Sequence, residues 1–585
     1  MYVLGINAYH GDASAAIIHD GKLLAAVEEE RFNRVKHCAG FPEQSIRYCL
    51  DAAGIRLEDL DHIGISRDPS AHLHKKVLFA ASRAAKGATG NGGAVGAGLI
   101  NQIKDRLGNA AKVRDVKSEL ARIFTVPKSA IRAQFHNVEH HRAHLASCFY
   151  VSPFERAALL SIDGFGDFIS TMWAVGENNN IETLGQVEYP HSIGIVYTAT
   201  TQFIGFPHYG DEGKVMGLAP YGKPRFMDEF REIVRTEENG QFRLNLDYFR
   251  HHSEGVEMTW DGGSPVIGRI FSDRFAETFG PARCPGSALT DRERDIAASL
   301  QLRLEEVAFH VLNRLHEQTS LTELGLAGGV AYNSVMNGKI LLHTPFRRVF
   351  VQPAAGDSGT AIGVCYEIYK KRVRMLGAYT GPEFSDDEIQ AALKRAKLNF
   401  DTYTNEELTK QAAQDIANGL VVGWFQGRME FGPRALGNRS IVVDPRRAEM
   451  KDILNDRIKK REPFRPFAPS ILEERVGDYF EQTHPAPTML MVYQVRPERR
   501  AEIPAVTHVD GSGRLQTVSR EVNARYYQLI SDFAELSGVP VLLNTSFNEN
   551  EPIVCTPDHA IDCFLKTRMD ALYIGNHAVR RSEHG

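Results

Sequence analysis

Apolar and polar positions along the chain arrange themselves into two echoing blocks. Residues 2–7, 13–19 and 22–27 read as strands, with Asp20-Gly21 as a tight turn between the second and third. The first connection, Ala8-Tyr9-His10-Gly11-Asp12, is small and polar, a loop suited to face a phosphate or a substrate hydroxyl. Helical spacing covers 41–54, and Ile63-Gly64-Ile65-Ser66 reads as a short buried strand. The pattern then returns. An apolar run, 157–162, delivers Asp163 into a glycine-rich turn, and strands follow at 168–175 and 181–187 around a turn at 177–180. A long amphipathic helix is expected over 291–315, then a strand into Gly328-Gly329 and a helix start near Asn333. A further strand, 349–353, ends in the tight loop Gly356-Asp357-Ser358-Gly359. Turn residues at 379–384 mark a domain boundary. Beyond it the pattern predicts helices at 386–396 and 405–418 and strands at 421–425 and 540–543.

Composition narrows the class. At 585 residues the chain is too long for one core, and the reading is two domains, 1–378 and 379–585. The first carries an Ala/Gly-rich insertion at about 76–116, read as helices joined by a glycine-rich loop. With 68 basic against 73 acidic residues the net charge is −5, which argues against a bulk nucleic-acid binder. No apolar run reaches the length that spans a bilayer, and the N-terminus lacks the pattern of a secretory signal. Seven scattered cysteines without a CxxC pair suggest reduced thiols in a cytoplasmic protein and argue against a zinc ribbon.

The chemistry sits at three places. His140 and His144 are four apart, so on a helix their imidazoles share one face; with Asp163 they make a plausible divalent-metal site. Asp357, in its glycine-flanked loop, is placed for a fourth ligand or a nucleotide contact. Gly213 and Lys214, within Tyr209–Ala219, permit close backbone approach to an anion, although the P-loop spacing is absent. In the second half Arg434, Lys459, Lys460, Arg465 and Arg514 stand among prolines and glycines, arranged for a small anion; Asn544 and Ser546 can hydrogen-bond a carbonyl or amide.

Taken together these stretches resemble the NodU/CmcH-type O-carbamoyltransferases, a family that includes enzymes decorating antibiotics. The resemblance runs through Tyr9-His10 with Asp12, Glu28 to His37, His140 to His144, Ser161 to Gly164, Gly210 to Ala219, Gly328 to Asn333, Gly356 to Gly359, Glu430 to Ser440, Lys459 to Pro469, His508 to Val518 and Asn544 to Val554. It implies an α/β chain with an actin-like (ASKHA) N-terminal domain of two related lobes, followed by a YrdC-like twisted α/β domain. It further implies that carbamoyl phosphate and ATP, with Mg2+, react to carbamoyl-adenylate in the second domain. The carbamoyl group then passes to a hydroxyl of a small-molecule acceptor, such as an antibiotic or other natural product, in the first. Carried over by residue, Arg434, Lys459, Arg465, Arg514, Asn544 and Ser546 would hold carbamoyl phosphate and the adenylate, with Lys460 as a rival for Lys459. His140, His144, Asp163 and Asp357 would ligate the metal, usually iron, with manganese or zinc as options. His10 would take the acceptor's proton with Asp12 nearby, and His141 would be a supporting or surface residue. Gly213, Lys214, Gly328, Gly329 and Asn333 would cradle the nucleotide. No nucleic-acid or membrane partner is implied, and a homodimer is compatible. The alternatives are a threonylcarbamoyl-type tRNA-modifying enzyme and a metallopeptidase. The first lacks a basic tract; the second lacks the glutamate of HExxH and leaves the C-terminal half without a role.

Overall fold

In the computed structural model, residues 1–76, 79, 115–255, 258–259 and 263–581 are described, so most of the 76–116 insertion lies outside the described residues. The chain forms two compact units: Met1–Glu29 with His37–Tyr332 and His343–Met375, and Glu30–Lys36 with Asn333–Leu342 and Leu376–Gly585. The second unit thus draws two short segments, Glu30–Lys36 and Asn333–Leu342, from within the span of the first. Within that unit Arg31 donates to the Gly432 carbonyl at 2.8 Å and Asn337 to the Leu490 carbonyl at 2.9 Å.

The first unit contains two five-stranded sheets. One runs Lys22–Glu28, Ser14–His19, Tyr2–Asn7, His62–Ile65, Gln134–Asn137; the other runs Asn180–Glu188, Ile169–Glu177, Arg156–Gly166, Glu323–Ala327, Arg348–Val351. In each, the first three strands in chain order are antiparallel neighbours and the last two run parallel to the first. Two lobes with the same strand order and senses are the echo visible in the hydrophobic pattern, and they are consistent with an actin-like ATPase domain. The Arg156–Gly166 strand is central in its sheet, which explains why the stretch 157–162 is buried at every position and mostly apolar rather than alternating.

Two helices carry the loops that matter. His140–Phe149 begins at Glu139, whose carboxylate accepts from the His141 and Arg142 amides, the first orphan donors of the helix. Thr360–Tyr369 follows the Asp357–Gly359 turn. Its Gly363 lies so close to the other helix that an added Cβ would stand 1.8 Å from the Ala143 carbonyl oxygen. On its other side, a Cβ on Gly5 would stand 2.0 Å from the Ala361 carbonyl. A helix held this tightly against backbone on two sides fixes the loop that precedes it. Gly363→Val should therefore destabilise the protein by about 3 kcal/mol or more, because backbone cannot yield as a flexible side chain does. Equilibrium urea unfolding checks this; a loss below about 1 kcal/mol would mean that the helices part easily.

The second unit is built on one mixed sheet of nine strands: Asp401–Thr402, His577–Arg580, Ala571–Ile574, Val422–Phe425, Arg439–Val443, Val541–Ser546, Ala468–Leu472, Ser512–Val518 and Met491–Gln494. The Asn405–Ala417 and Ala524–Ser537 helices pack on it through Leu408, Ala412, Tyr526, Leu529 and Phe533 around the buried Trp424. Both helices start on side-chain caps, Thr404 and Asn523. The strand expected at 540–543 extends through Ser546, so Asn544 and Ser546 belong to the sheet rather than to the loop beyond it. Among the described residues no helix is long and apolar enough to cross a membrane.

Candidate functional site

In the first unit, helix periodicity does for His140 and His144 what the four-residue spacing predicted. Their Nε2 atoms lie 3.1 Å apart. Asp163, at the end of the apolar strand run, brings Oδ2 to 3.2 Å from both. Asp357 brings Oδ1 to 3.5 Å from both. All four donor atoms fall within 4.8 Å of one another. Asp163 is held by its second oxygen, which accepts from the Gly164 amide at 2.7 Å and the Gly329 amide at 3.1 Å. The diglycine turn makes this possible. Gly328 has φ +95° and a Cβ there would meet the Ile162 carbonyl at 2.2 Å, while a Cβ on Gly329 would meet Asp163 Oδ1 at 2.7 Å. Gly328 and Gly329 therefore pack around a carboxylate of the cluster.

The electrostatics are those of a cation site. Burial opposes a charge on His140, but Asp357, Asp163 and Asp167 together push its pKa up to about 9. Against the same burial, the two histidines hold Asp163 well below the usual carboxylate range. Two imidazoles and two carboxylates converging in a buried space fit a divalent transition metal by donor type and number. Nothing in this donor set selects iron over manganese or zinc. Of the two places expected for His141, supporting or surface, the surface one is excluded: it is fully buried, its ring 5.4 Å from that of His140 and 6.0 Å from that of His144. Its ring nitrogens lie 2.8 Å from Ser161 Oγ and 3.0 Å from the Ile169 carbonyl, and burial and its charged neighbours push its pKa down to about 3.

His10 joins this cluster directly. Its Nδ1 sits 2.6 Å from Asp357 Oδ2, which assigns the proton to that nitrogen, and its buried Nε2 makes no hydrogen bond. Burial, which outweighs Asp357, lowers its pKa, so the ring is neutral with a free lone pair on Nε2. Asp12 turns the other way, with Oδ1 2.9 Å from His37 Nδ1. The loop between them is strained: Tyr9 and Asp12 have φ of 67° and 58°, a conformation kept only where the surroundings enforce it. The Asn7 side chain does so, donating to the Gly11 and Asp12 carbonyls at 3.3 and 2.9 Å.

Lys214 departs from the picture of an open glycine loop. It lies in the Glu212–Leu218 helix and pairs with Asp211 at 2.9 Å, while Gly213 has open space over its Cα. Asn333 is grouped with the second unit, apart from Gly328 and Gly329 in the first. There its side chain accepts from the Met336 amide at 2.9 Å and caps the Ser334–His343 helix.

The second unit gathers cations. Lys459 ends a π-helical turn, Leu454–Lys459, and is buried. Its ammonium donates to Ser546 and to both the carbonyl and the side-chain oxygen of Asn548, at 2.8 and 2.7 Å. Lys460 points elsewhere, 64% exposed and 2.7 Å from Glu549. Arg514, half-buried in the Ser512–Val518 strand, has its pKa lowered by desolvation and then by Arg434, Arg461 and Arg465. The Nε atoms of Arg434 and Arg514 are buried without a hydrogen-bond partner. Asn544 donates at 3.1 Å to Ser470 Oγ and Gln516 Oε1, and its own Oδ1 is buried and unpartnered. Arg461, not singled out from the sequence, belongs to this group. It lies over the Phe467 ring at 4.5 Å, and burial with Arg465 and Arg434 lowers its pKa to about 9. Its place in a Lys-Lys-Arg run was visible, but a run does not say which members turn inward. Guanidinium groups gathered closely enough to lower the charge on Arg461 and Arg514 are suited to an anion.

A duplicated-lobe unit with a two-histidine, two-aspartate cluster is thus joined in one chain to an α/β unit that gathers cations. The family models for the carbamoyltransferase N-terminus and the carbamoyltransferase C-terminus match residues 2–366 and 413–581, and the chain belongs to the carbamoyltransferase family. It is 41% identical to an uncharacterized protein of Synechocystis, sll1178, over 99% of this chain and 97% of that one. It is 38% identical to nodulation protein NolNO of Sinorhizobium fredii, over 98% of this chain and 80% of that one. To nodulation protein NolO of Bradyrhizobium diazoefficiens it is 40% identical, over 76% and 79%. Among solved structures, HypF of T. kodakarensis overlaps 63% of this chain and 48% of its own at 13% identity, with a TM-score of 0.30.

Proposed function

We propose that this carbamoyltransferase acts on oxygen, in two steps at two sites. In the second unit Lys459, Arg434, Arg465 and Arg514 bind carbamoyl phosphate and ATP, with Asn544 and Ser546 ordering the carbamoyl end, and carbamoyl-adenylate forms with release of pyrophosphate. In the first unit the carbamoyl group passes to a hydroxyl of a small-molecule acceptor. A divalent metal, iron being the family's usual ion, would be held by His140, His144, Asp163 and Asp357 and would supply charge neutralisation at the leaving phosphate. His10 does the proton work: Asp357 holds its Nδ1–H, and Nε2 accepts the acceptor hydroxyl's proton as the new C–O bond forms. Gly213 and Lys214 are assigned to the nucleotide, together with the backbone around Gly328 and Gly329.

The observation that carries the reading is the His10 lone pair beside a four-donor cluster: a base with nothing to deprotonate inside the protein. Its test separates the steps. Wild type should release pyrophosphate from ATP in a carbamoyl phosphate-dependent manner, and across a panel of polyols one should gain about 43 Da by mass spectrometry, the mass of a carbamoyl less hydrogen. His10→Asn should lower transfer by roughly 10²–10⁴-fold, the span of general-base catalysis, with pyrophosphate release intact. Loss of both activities would remove His10 from the role of acceptor base, and absence of pyrophosphate release in wild type would sink the adenylate route.

A further inference from the structure

Facing the His10 loop is a side chain that the scheme above leaves idle. The Tyr209 hydroxyl stands against Gly11, the residue between His10 and Asp12; a Cβ on Gly11 would meet it at 2.7 Å. The neighbouring Gly210, at φ +84°, is bare for a matching reason: a Cβ there would meet His37 Nε2 at 2.5 Å. The rings of His37 and Tyr209 pack edge to face at 5.2 Å, and His37 in turn is tied to Asp12 at 2.9 Å. Two glycines in distant parts of the sequence thus interlock the 9–12 loop with the 209–210 turn. Among the described residues the Tyr209 hydroxyl makes no hydrogen bond. Burial first, then the carboxylates of Asp12, Asp357 and Asp163, hold it protonated as a donor. An O–H donor, its ring packed on His37, thus stands against the loop that carries His10.

We infer that Tyr209 is a catalytic hydrogen-bond donor to the carbonyl oxygen of the carbamoyl group during transfer. The inference rests on the transfer reading given above. As the acceptor oxygen adds to the carbamoyl carbon, its proton goes to His10 Nε2 and negative charge grows on the carbonyl oxygen. The bond to the leaving phosphate then breaks and its electron pair departs with AMP. Throughout, the Tyr209 O–H bond stays intact and only donates to that oxygen. A fixed donor aimed at charge that develops in the transition state favours the rate more than substrate binding.

The test is Tyr209→Phe, which keeps the ring against His37 and removes one oxygen. With the polyol that gains about 43 Da on wild-type enzyme, kcat for transfer should fall roughly 10²–10³-fold, the effect of deleting one oxyanion donor, and the acceptor KM should stay within about threefold. Pyrophosphate release and thermal midpoint should be unchanged. Fluorotyrosine at 209, which donates a stronger hydrogen bond, should transfer faster than Phe and at least as fast as Tyr. Transfer by Tyr209→Phe within about threefold of wild type would overturn the inference. So would a change confined to KM, which marks a pocket wall. Neither result touches pyrophosphate release, so the activation step is judged separately.

Discussion

On the metal and transfer assignments proposed above, Asp163→Asn will strip the first unit of its metal and with it the transfer reaction. The substitution is nearly isosteric and keeps an oxygen for the Gly164 and Gly329 amides, so the turn should persist. What disappears is the negative charge 3.2 Å from two imidazole nitrogens that are themselves 3.1 Å apart. Without it, a dication in the cluster is balanced by Asp357 alone, already engaged with His10 at 2.6 Å. Supporting partners of metal ligands are worth roughly 10–100-fold in affinity, and a ligand itself should exceed that. Metal measured per chain by plasma mass spectrometry should fall to a small fraction of the wild-type value. Transfer should fall with it by on the order of a thousandfold, while carbamoyl phosphate-dependent pyrophosphate release continues in the second unit. An Asp163→Asn protein with undiminished metal and transfer would mean that the cluster is a buried hydrogen-bond network.

How much of this was legible in the chain depends on the range over which each feature is encoded. The i, i+4 histidines, the apolar run ahead of Asp163 and the glycine turn around Asp357 are local, and local periodicity states them directly. So is the repeat of strand, loop and strand that became two lobes with matching sheet order. Convergence is another matter. That Asp163 and Asp357 meet the same histidines follows from the parallel pairing of the 323–327 strand with both the 156–166 and 348–351 strands, which no window of sequence contains. His141 reads like its neighbours because composition is blind to which face of a helix meets a strand. Its burial between Ser161 and the Ile169 carbonyl needed the sheet. Tyr209 was noticed only as one end of a glycine-rich stretch. Its meaning lies in Gly11, some two hundred residues earlier, and a glycine's neighbours in space leave no local trace. The same holds for Arg461, drawn into the guanidinium group by its stack on Phe467, and for Asn333, which caps a helix of the second unit.

The adjacent lysines offer the sharpest contrast within the second unit. Lys459 is 2% exposed, and its pKa is driven well down by burial and by Arg461 and Arg465. Its ammonium is nonetheless surrounded by acceptors, the Ser546 and Asn548 oxygens, which pin it in one orientation. A cation kept dry, repelled by its neighbours and already oriented gains most when an anion arrives, since no solvent has to be removed at that moment. Lys460 has none of these features: it adopts φ 44°, turns outward and forms a surface pair with Glu549, an interaction of small worth. Lys459→Met should therefore lower carbamoyl phosphate-dependent pyrophosphate release by on the order of a thousandfold, the scale of a preorganised charge on a transferring phosphoryl group. Lys460→Met should change it less than about twofold, as expected for an exposed pair. Because Lys459→Met leaves buried carbonyls without a donor, Lys459→Arg serves as the companion variant: it keeps the charge but spreads it over a planar fork, and should recover folding without full activity. Transfer from supplied carbamoyl-adenylate should survive in all three proteins. The reverse ranking, with Lys460→Met inactive and Lys459→Met active, would assign Lys459 to holding the Ser546–Asn548 turn and return the anion to its neighbour.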